Sequence, residues 1–158
     1  MNKNTLVAYF SATGTTKRVA ERLARVAQAD LFEIKPAVPY SGADLNWSDK
    51  ASRTSKERAD ESIRPALAVK LSDISAYDTV YIGFPIWWYV APRIIAAFLE
   101  SCDFSGKTLV PFATSGGSGM GRTVDELKNI CPSAHFLSGR MLNSVLDKDL
   151  ADWVASLK

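Results

Sequence analysis

Apolar positions along the chain follow two rhythms. Short runs rich in β-branched and aromatic residues alternate with longer stretches in which apolar residues recur at spacings of three and four. The runs predict strands at Thr5–Phe10, Asp30–Lys35, Asp78–Phe84 and Thr108–Ala113, with a last one near Ala134–Leu137 or beyond. The periodic stretches predict helices. One reaches about Gln28 and carries Val19, Ala20, Leu23, Ala24, Val26 and Ala27 on one stripe. A second is opened by Pro92 and runs through Ile94, Ile95, Phe98 and Leu99. Two more are expected at Thr123–Asn129 and Asp147–Leu157. Five strands in alternation with helices predict an α/β fold: a doubly wound, five-stranded parallel sheet between two helical layers. Residues 1–158 are expected to form one domain.

The stretch from Pro36 to about Ser75 is the least regular. Ala37 to Asp44 has the proline, glycine and aspartate of a loop. Trp47 to Arg64 is charged and weakly helical, the pattern of a solvated face. Tyr40, Leu45 and Trp47 are large enough to cover a ligand.

Sheets of this type bind ligands beyond the carboxyl ends of their strands, where strand order reverses. Three unusual loops are expected there. Ser11-Ala12-Thr13-Gly14-Thr15-Thr16 follows the first strand. Unpaired N–H groups at the following helix, three threonine hydroxyls and a glycine that admits close approach suit a phosphate. Ser11 and Thr13 capping a surface helix is the plainer alternative. Pro85-Ile86-Trp87-Trp88-Tyr89 follows the third strand. Adjacent tryptophans cannot easily both point inward, so one is expected to face the crevice, where a flat ring would stack on it. Thr114-Ser115-Gly116-Gly117-Ser118-Gly119 follows the fourth strand. Its bare backbone N–H groups could run along the edge of a planar heterocycle, although a flexible connector would have the same composition. Phosphate, flat ring and backbone donors together describe a mononucleotide such as FMN.

Other chemistries fit less well. Gly106-Lys107-Thr108 has Ser101 where a Walker loop needs its first glycine, and it enters a strand. There is no G-x-G-x-x-G, and Met120 stands where a G-x-S-x-G elbow around Ser118 needs glycine. His135 is the only histidine, and Cys102 and Cys131 lie far apart. Serine hydrolysis and a structural zinc site are therefore disfavoured, and no metal or acid–base residue is expected. The 158 residues carry a formal charge of +2, are 47% hydrophobic and 23% charged, and contain no apolar run long enough to cross a bilayer. Neither nucleic acid nor a membrane is an expected partner. With no signal-peptide pattern at Met1-Asn2-Lys3-Asn4, a cytoplasmic location is expected.

Tyr9, Ser11, Gly14, Thr16, Ala20 and Leu23 reproduce the spaced pattern of the flavodoxins, and the five-strand layout extends that resemblance over nearly the whole chain. Ala8 departs from it, since the family prefers a larger apolar residue there. Pro85 to Trp88 and Thr114 to Ser118 are similar to a bacterial subgroup with Pro-Ile-Trp-Trp and Thr-Ser-Gly-Gly-Ser loops. The resemblance implies that Ser11, Thr13, Gly14, Thr15 and Thr16 hold the FMN phosphate. Pro85, Ile86, Trp87, Trp88, Thr114, Ser115, Gly116 and Gly117 would then hold the isoalloxazine. It also implies a flavoprotein acting in electron transfer, as a monomer meeting redox partner proteins, a reductase and an acceptor. Electron-carrying flavodoxins are acidic, however, and many place a glycine beside flavin N5. This chain is slightly basic and has no glycine between Phe84 and Pro92. An NAD(P)H-dependent FMN oxidoreductase with a quinone-type acceptor is the alternative, with Trp87, Trp88, Tyr40 and Trp47 around a second ring. A flavin-binding regulatory scaffold is a third.

Overall fold

The computed structural model describes residues 4–71, 73–87, 90–115, 120, 123–143 and 145–157. In chain order the elements are β1 (Thr5–Tyr9), α1 (Thr15–Ala27), β2 (Asp30–Glu33), α2 (Arg53–Ala59), β3 (Thr79–Pro85) and α3 (Arg93–Ser101). They continue with β4 (Thr108–Thr114), α4 (Thr123–Ile130), β5 (His135–Phe136), β6 (Arg140–Met141) and α5 (Asp147–Ser156). The strands pair in parallel in the order β2-β1-β3-β4-β5, with β6 also on β4.

Strand alternation produces the layers. Successive side chains point to opposite faces, so Leu6 and Ala8 join one buried cluster while Val7 and Tyr9 join the other. The first face carries Ile94, Ile95, Phe98 and Leu99 of α3 and Leu127 of α4. The second carries Val19, Ala20, Leu23 and Ala24 of α1 with Leu150, Trp153 and Val154 of α5. These are the three layers expected from the sequence. On the second face Arg22 of α1 meets Asp147 of α5 at 2.8 Å, and the Tyr81 and Trp153 rings cross edge-on at 5.7 Å. Leu23 is fully enclosed, so truncation to alanine would cost about 2–5 kcal/mol.

One strand differs from the expectation. The last strand is broken into β5 and β6, and Pro111 of β4 is the cause. Lys107, Leu109 and Ala113 accept bonds from His135, Leu137 and Leu142, so odd-numbered residues of β4 face the last strand. Pro111 faces the same way without an N–H to give. Leu109 pairs with Phe136 and Phe112 with Arg140, so the last strand carries one residue more than β4 across the gap. Gly139 lies in that gap, where an added Cβ would come within 3.2 Å of the Pro111 carbonyl oxygen.

The charged stretch 47–64 is mostly exposed, as expected of a solvated face, but not throughout. It is helical only over α2, and it buries Thr54 and Glu57. Of the three candidate covering side chains Tyr40 packs against the core, Leu45 is half-buried, and Trp47 is 73% exposed.

Candidate functional site

The carboxyl ends of β1, β3 and β4 open side by side. The Phe10 N–H bonds the Gly83 carbonyl at 2.9 Å, Pro85 pairs with Thr114, and the Ile86 N–H bonds the Thr114 carbonyl at 2.9 Å. The chain leaves β1 through a turn in which the Ser11 hydroxyl accepts the Gly14 N–H at 3.0 Å. Gly14 sits at φ 94°, in the left-handed region that favours glycine, and a Cβ there would meet nothing within 4 Å among the described residues. The turn therefore stands open above α1. The first intrahelical bond runs from the Arg18 N–H to the Gly14 carbonyl, leaving the preceding N–H groups directed out of the helix end.

Two features suit this end to an anion. The first turn of α1 carries no acidic side chain to neutralise the helix dipole, and Thr13 and Thr15 are exposed beside it. Thr16 is different. Its side chain is buried, and its hydroxyl lies 2.8 Å from that of Thr114, also buried. That contact ties the start of α1, just past the phosphate-type turn, to the carboxyl end of β4. Ser115 is held by its N–H donating to Asn143 Oδ1 at 2.9 Å.

The loop after β3 turns back at once. Trp87 and Val90 exchange both backbone bonds, at 3.0 and 3.2 Å. Pro85 ends β3 half-buried, and Ile86 is buried. The Trp87 ring packs on Phe10 and Tyr40, with centroids 5.6 and 5.3 Å away and steeply inclined planes. Trp87 thus packs inward. The expectations for Trp88, Gly116 and Gly117 lie outside the described residues.

Tyr40 is fixed from behind. Its hydroxyl donates to Glu57 at 2.6 Å, and the Arg53 guanidinium lies 3.8 Å over its ring while donating to the other Glu57 oxygen at 3.1 Å. Burial, and then the bond to Glu57, push the Tyr40 phenol far above its ordinary range, so it stays a neutral donor. Arg53 also donates to the Val38 carbonyl, and Arg93 donates to the carbonyls of Glu57 and Arg58. A loop and a short helix are thereby strapped over the aromatic cluster. Sequence reasoning missed Arg53, Glu57, Arg93 and Asn143, which bond Val38, Tyr40, the Glu57 carbonyl and Ser115 across 15 or more residues.

Among the described residues no group of His, Cys, Asp and Glu is arranged to hold a metal ion. No helix among them is long and apolar enough to cross a membrane. Cys102 and Cys131 are free thiols. An open turn, an uncompensated helix end and side-by-side strand ends fit a phosphorylated ring compound in donor chemistry.

Comparison with known proteins bears on the same site. A Bacteroides uniformis protein provisionally named a flavoprotein is 50% identical, with 98% of this chain and 99% of that one covered and a TM-score of 0.94. A Lactobacillus acidophilus NCFM flavoprotein in complex with FMN shares the fold at 21% identity, with 97% and 99% covered and a TM-score of 0.76. An FMN-dependent NADH:quinone oxidoreductase of Brevibacillus brevis is 31% identical over 87 residues, 52% of this chain and 40% of that enzyme. The chain thus matches less than half the length of these curated relatives. The model of the flavodoxin family matches residues 4–157, nearly from end to end, and the chain belongs to that family.

Proposed function

We propose that the protein binds FMN and serves as an electron-transfer flavoprotein. The observation that carries this reading is the open, acid-free amino end of α1 behind Gly14, beside the carboxyl ends of β3 and β4. Ser11, Thr13, Gly14, Thr15 and the first N–H groups of α1 take the phosphate in this reading. Thr16 acts through Thr114, holding the turn at a set distance from the ring-binding loop. Pro85, Ile86, Trp87 and Trp88 on one side, and Thr114 to Gly117 on the other, bracket the ring. FMN supplies the redox chemistry, and the chain supplies binding, orientation and the local field. Membership of the flavodoxin family and the FMN complex of the Lactobacillus acidophilus protein support this.

A second reading is a reductase that takes hydride from NAD(P)H for a quinone-type acceptor. The partial similarity to the Brevibacillus brevis enzyme favours it, as does the near-neutral charge, which gives weak steering toward basic redox proteins. In either reading Tyr40, Trp87 and Phe10 form a rigid wall, because the Glu57–Arg53 pair holds Tyr40 in one position.

The absorbance spectrum of freshly purified protein is the first test. A bound flavin that is retained as FMN and poorly replaced by riboflavin is expected. Equal binding of riboflavin would overturn the phosphate assignment. NADH added without oxygen then separates the two readings: rapid bleaching marks the reductase, and a flavin that stays oxidised until a partner reductase is supplied marks the carrier.

A further inference from the structure

A cavity of about 430 Å³ lies on the β2 side of the phosphate-type turn, within the range of small-molecule sites. Phe10, Pro36, Pro39 and Tyr40 give it flat apolar walls, and alanines at 12, 37 and 68 keep it open. Its polar groups are Ser11, Glu33 and Lys35. Ser11 belongs to the turn itself. Glu33 is the last residue of β2, and Lys35 Nζ lies 3.9 Å from its carboxylate, so the pair carries little net charge.

The placement of these groups has a chemical meaning. In a β-α-β unit that binds an adenine dinucleotide, the helix N-terminus takes a phosphate and a carboxylate at the end of the second strand takes ribose hydroxyls. Here β1, α1 and β2 form such a unit, with an open helix end, Glu33 at the end of the second strand, and the cavity between them. The glycine fingerprint is missing, yet the groups that read ribose and phosphate are present. Proline and tyrosine faces suit a purine ring.

We propose that this cavity binds the adenosine 5′-phosphate unit of an adenine nucleotide, with its ring against Tyr40 and the prolines, its ribose on Glu33 and its phosphate toward Lys35, next to the FMN phosphate held by the turn. The proposal rests on reading Ser11 to Thr16 as a phosphate site. The same unit occurs in FAD, as an extension of the flavin phosphate, and in NAD(P)H, as the far half of a hydride donor.

The test titrates AMP into FMN-saturated protein, followed by calorimetry or by amide NMR shifts, with ribose 5-phosphate as the control lacking the purine. Saturable AMP binding is expected, with ribose 5-phosphate weaker. Ala68→Trp, which fills the cavity, and Glu33→Gln, which removes the charge facing the ribose, should each weaken AMP by about tenfold or more. Glu33 is partly exposed, so its variant remains informative if Ala68→Trp fails to fold. No saturable AMP binding to the wild type, or unchanged AMP affinity in a folded Glu33→Gln variant, overturns the proposal. FMN retention is measured in the same samples. Its loss in the wild type would sink the phosphate reading, whereas failure of AMP alone sinks only the adenylate site. FAD binding to flavin-free protein that AMP inhibits points to the cofactor as the source. Displacement of AMP by NADH from the FMN-loaded protein points to the donor, and either result supports the site.

Discussion

The Thr16–Thr114 contact joins the first turn of α1 to the carboxyl end of β4, 98 residues away in sequence, and it can be dissected by a double-mutant cycle. The hydroxyls are 2.8 Å apart, and the two residues are 2% and 3% exposed. Threonine to valine keeps the branched shape and removes the oxygen. Either single variant leaves one hydroxyl buried without this partner, at a cost of about 1–3 kcal/mol. The double variant leaves none, so its cost should fall short of the sum of the singles by about 1–3 kcal/mol. Urea unfolding of the flavin-free protein measures these values directly. Each kcal/mol corresponds to a loss of about 2–4 °C in melting temperature for a chain of this size. Repeating the cycle on FMN affinity asks whether the contact also sets the spacing of the two flavin loops. Coupling in stability with coupling in affinity is the expected result. Costs that simply add would refute the view that these hydroxyls hold α1 and β4 together.

Gly83→Ala should destabilise the fold by about 1–3 kcal/mol, because its Cβ would lie 2.1–2.8 Å from carbons of the buried Phe112 ring. Adding Phe112→Leu should recover part of that loss in a denaturant titration. Gly14→Val should weaken FMN binding in a fluorescence titration by more than Thr16→Ala does, since it adds bulk to the turn and forces a β-branched residue to φ 94°. Burial, then the charges of Glu33 and Glu21, push the Tyr9 phenol up to about 12, and the Asp30 bond, then burial, does the same for Tyr77. Their ordinary value is 10.0, so the unfolded chain releases these protons first. Unfolding free energy should therefore be undiminished by them below pH 10 and fall as pH rises toward 12. Tyr77→Phe should flatten part of that decline, measured by urea unfolding at several pH values.

Much of the architecture was legible in local pattern. The apolar runs and three-to-four spacing placed most elements within a residue or two, because each is decided by its own burial pattern. The exceptions arise where partners are distant in sequence. Glu57 reads as one charge among many in a solvated stretch, and only the folded chain brings Tyr40 and Arg93 to it. Asn143 carries no local mark of its bond to Ser115. The break in the last strand did have a signal, since a proline inside a central strand must leave one ladder bond unmade. At the candidate site, the glycine turn between β1 and α1 was readable from residue type and spacing. That Thr16 is buried and bonded to Thr114 was not, because buried and exposed threonines look alike in sequence.

The break opposite Pro111 reaches beyond local geometry. A long exposed strand margin invites a second molecule to continue the sheet, which is how many folded chains begin to aggregate. Here that margin comes in two pieces of two residues each, offset by the extra residue between them. An incoming strand could pair with one piece only by losing register with the other. A missing N–H in the interior thus acts at the perimeter, as a safeguard against uncontrolled self-association.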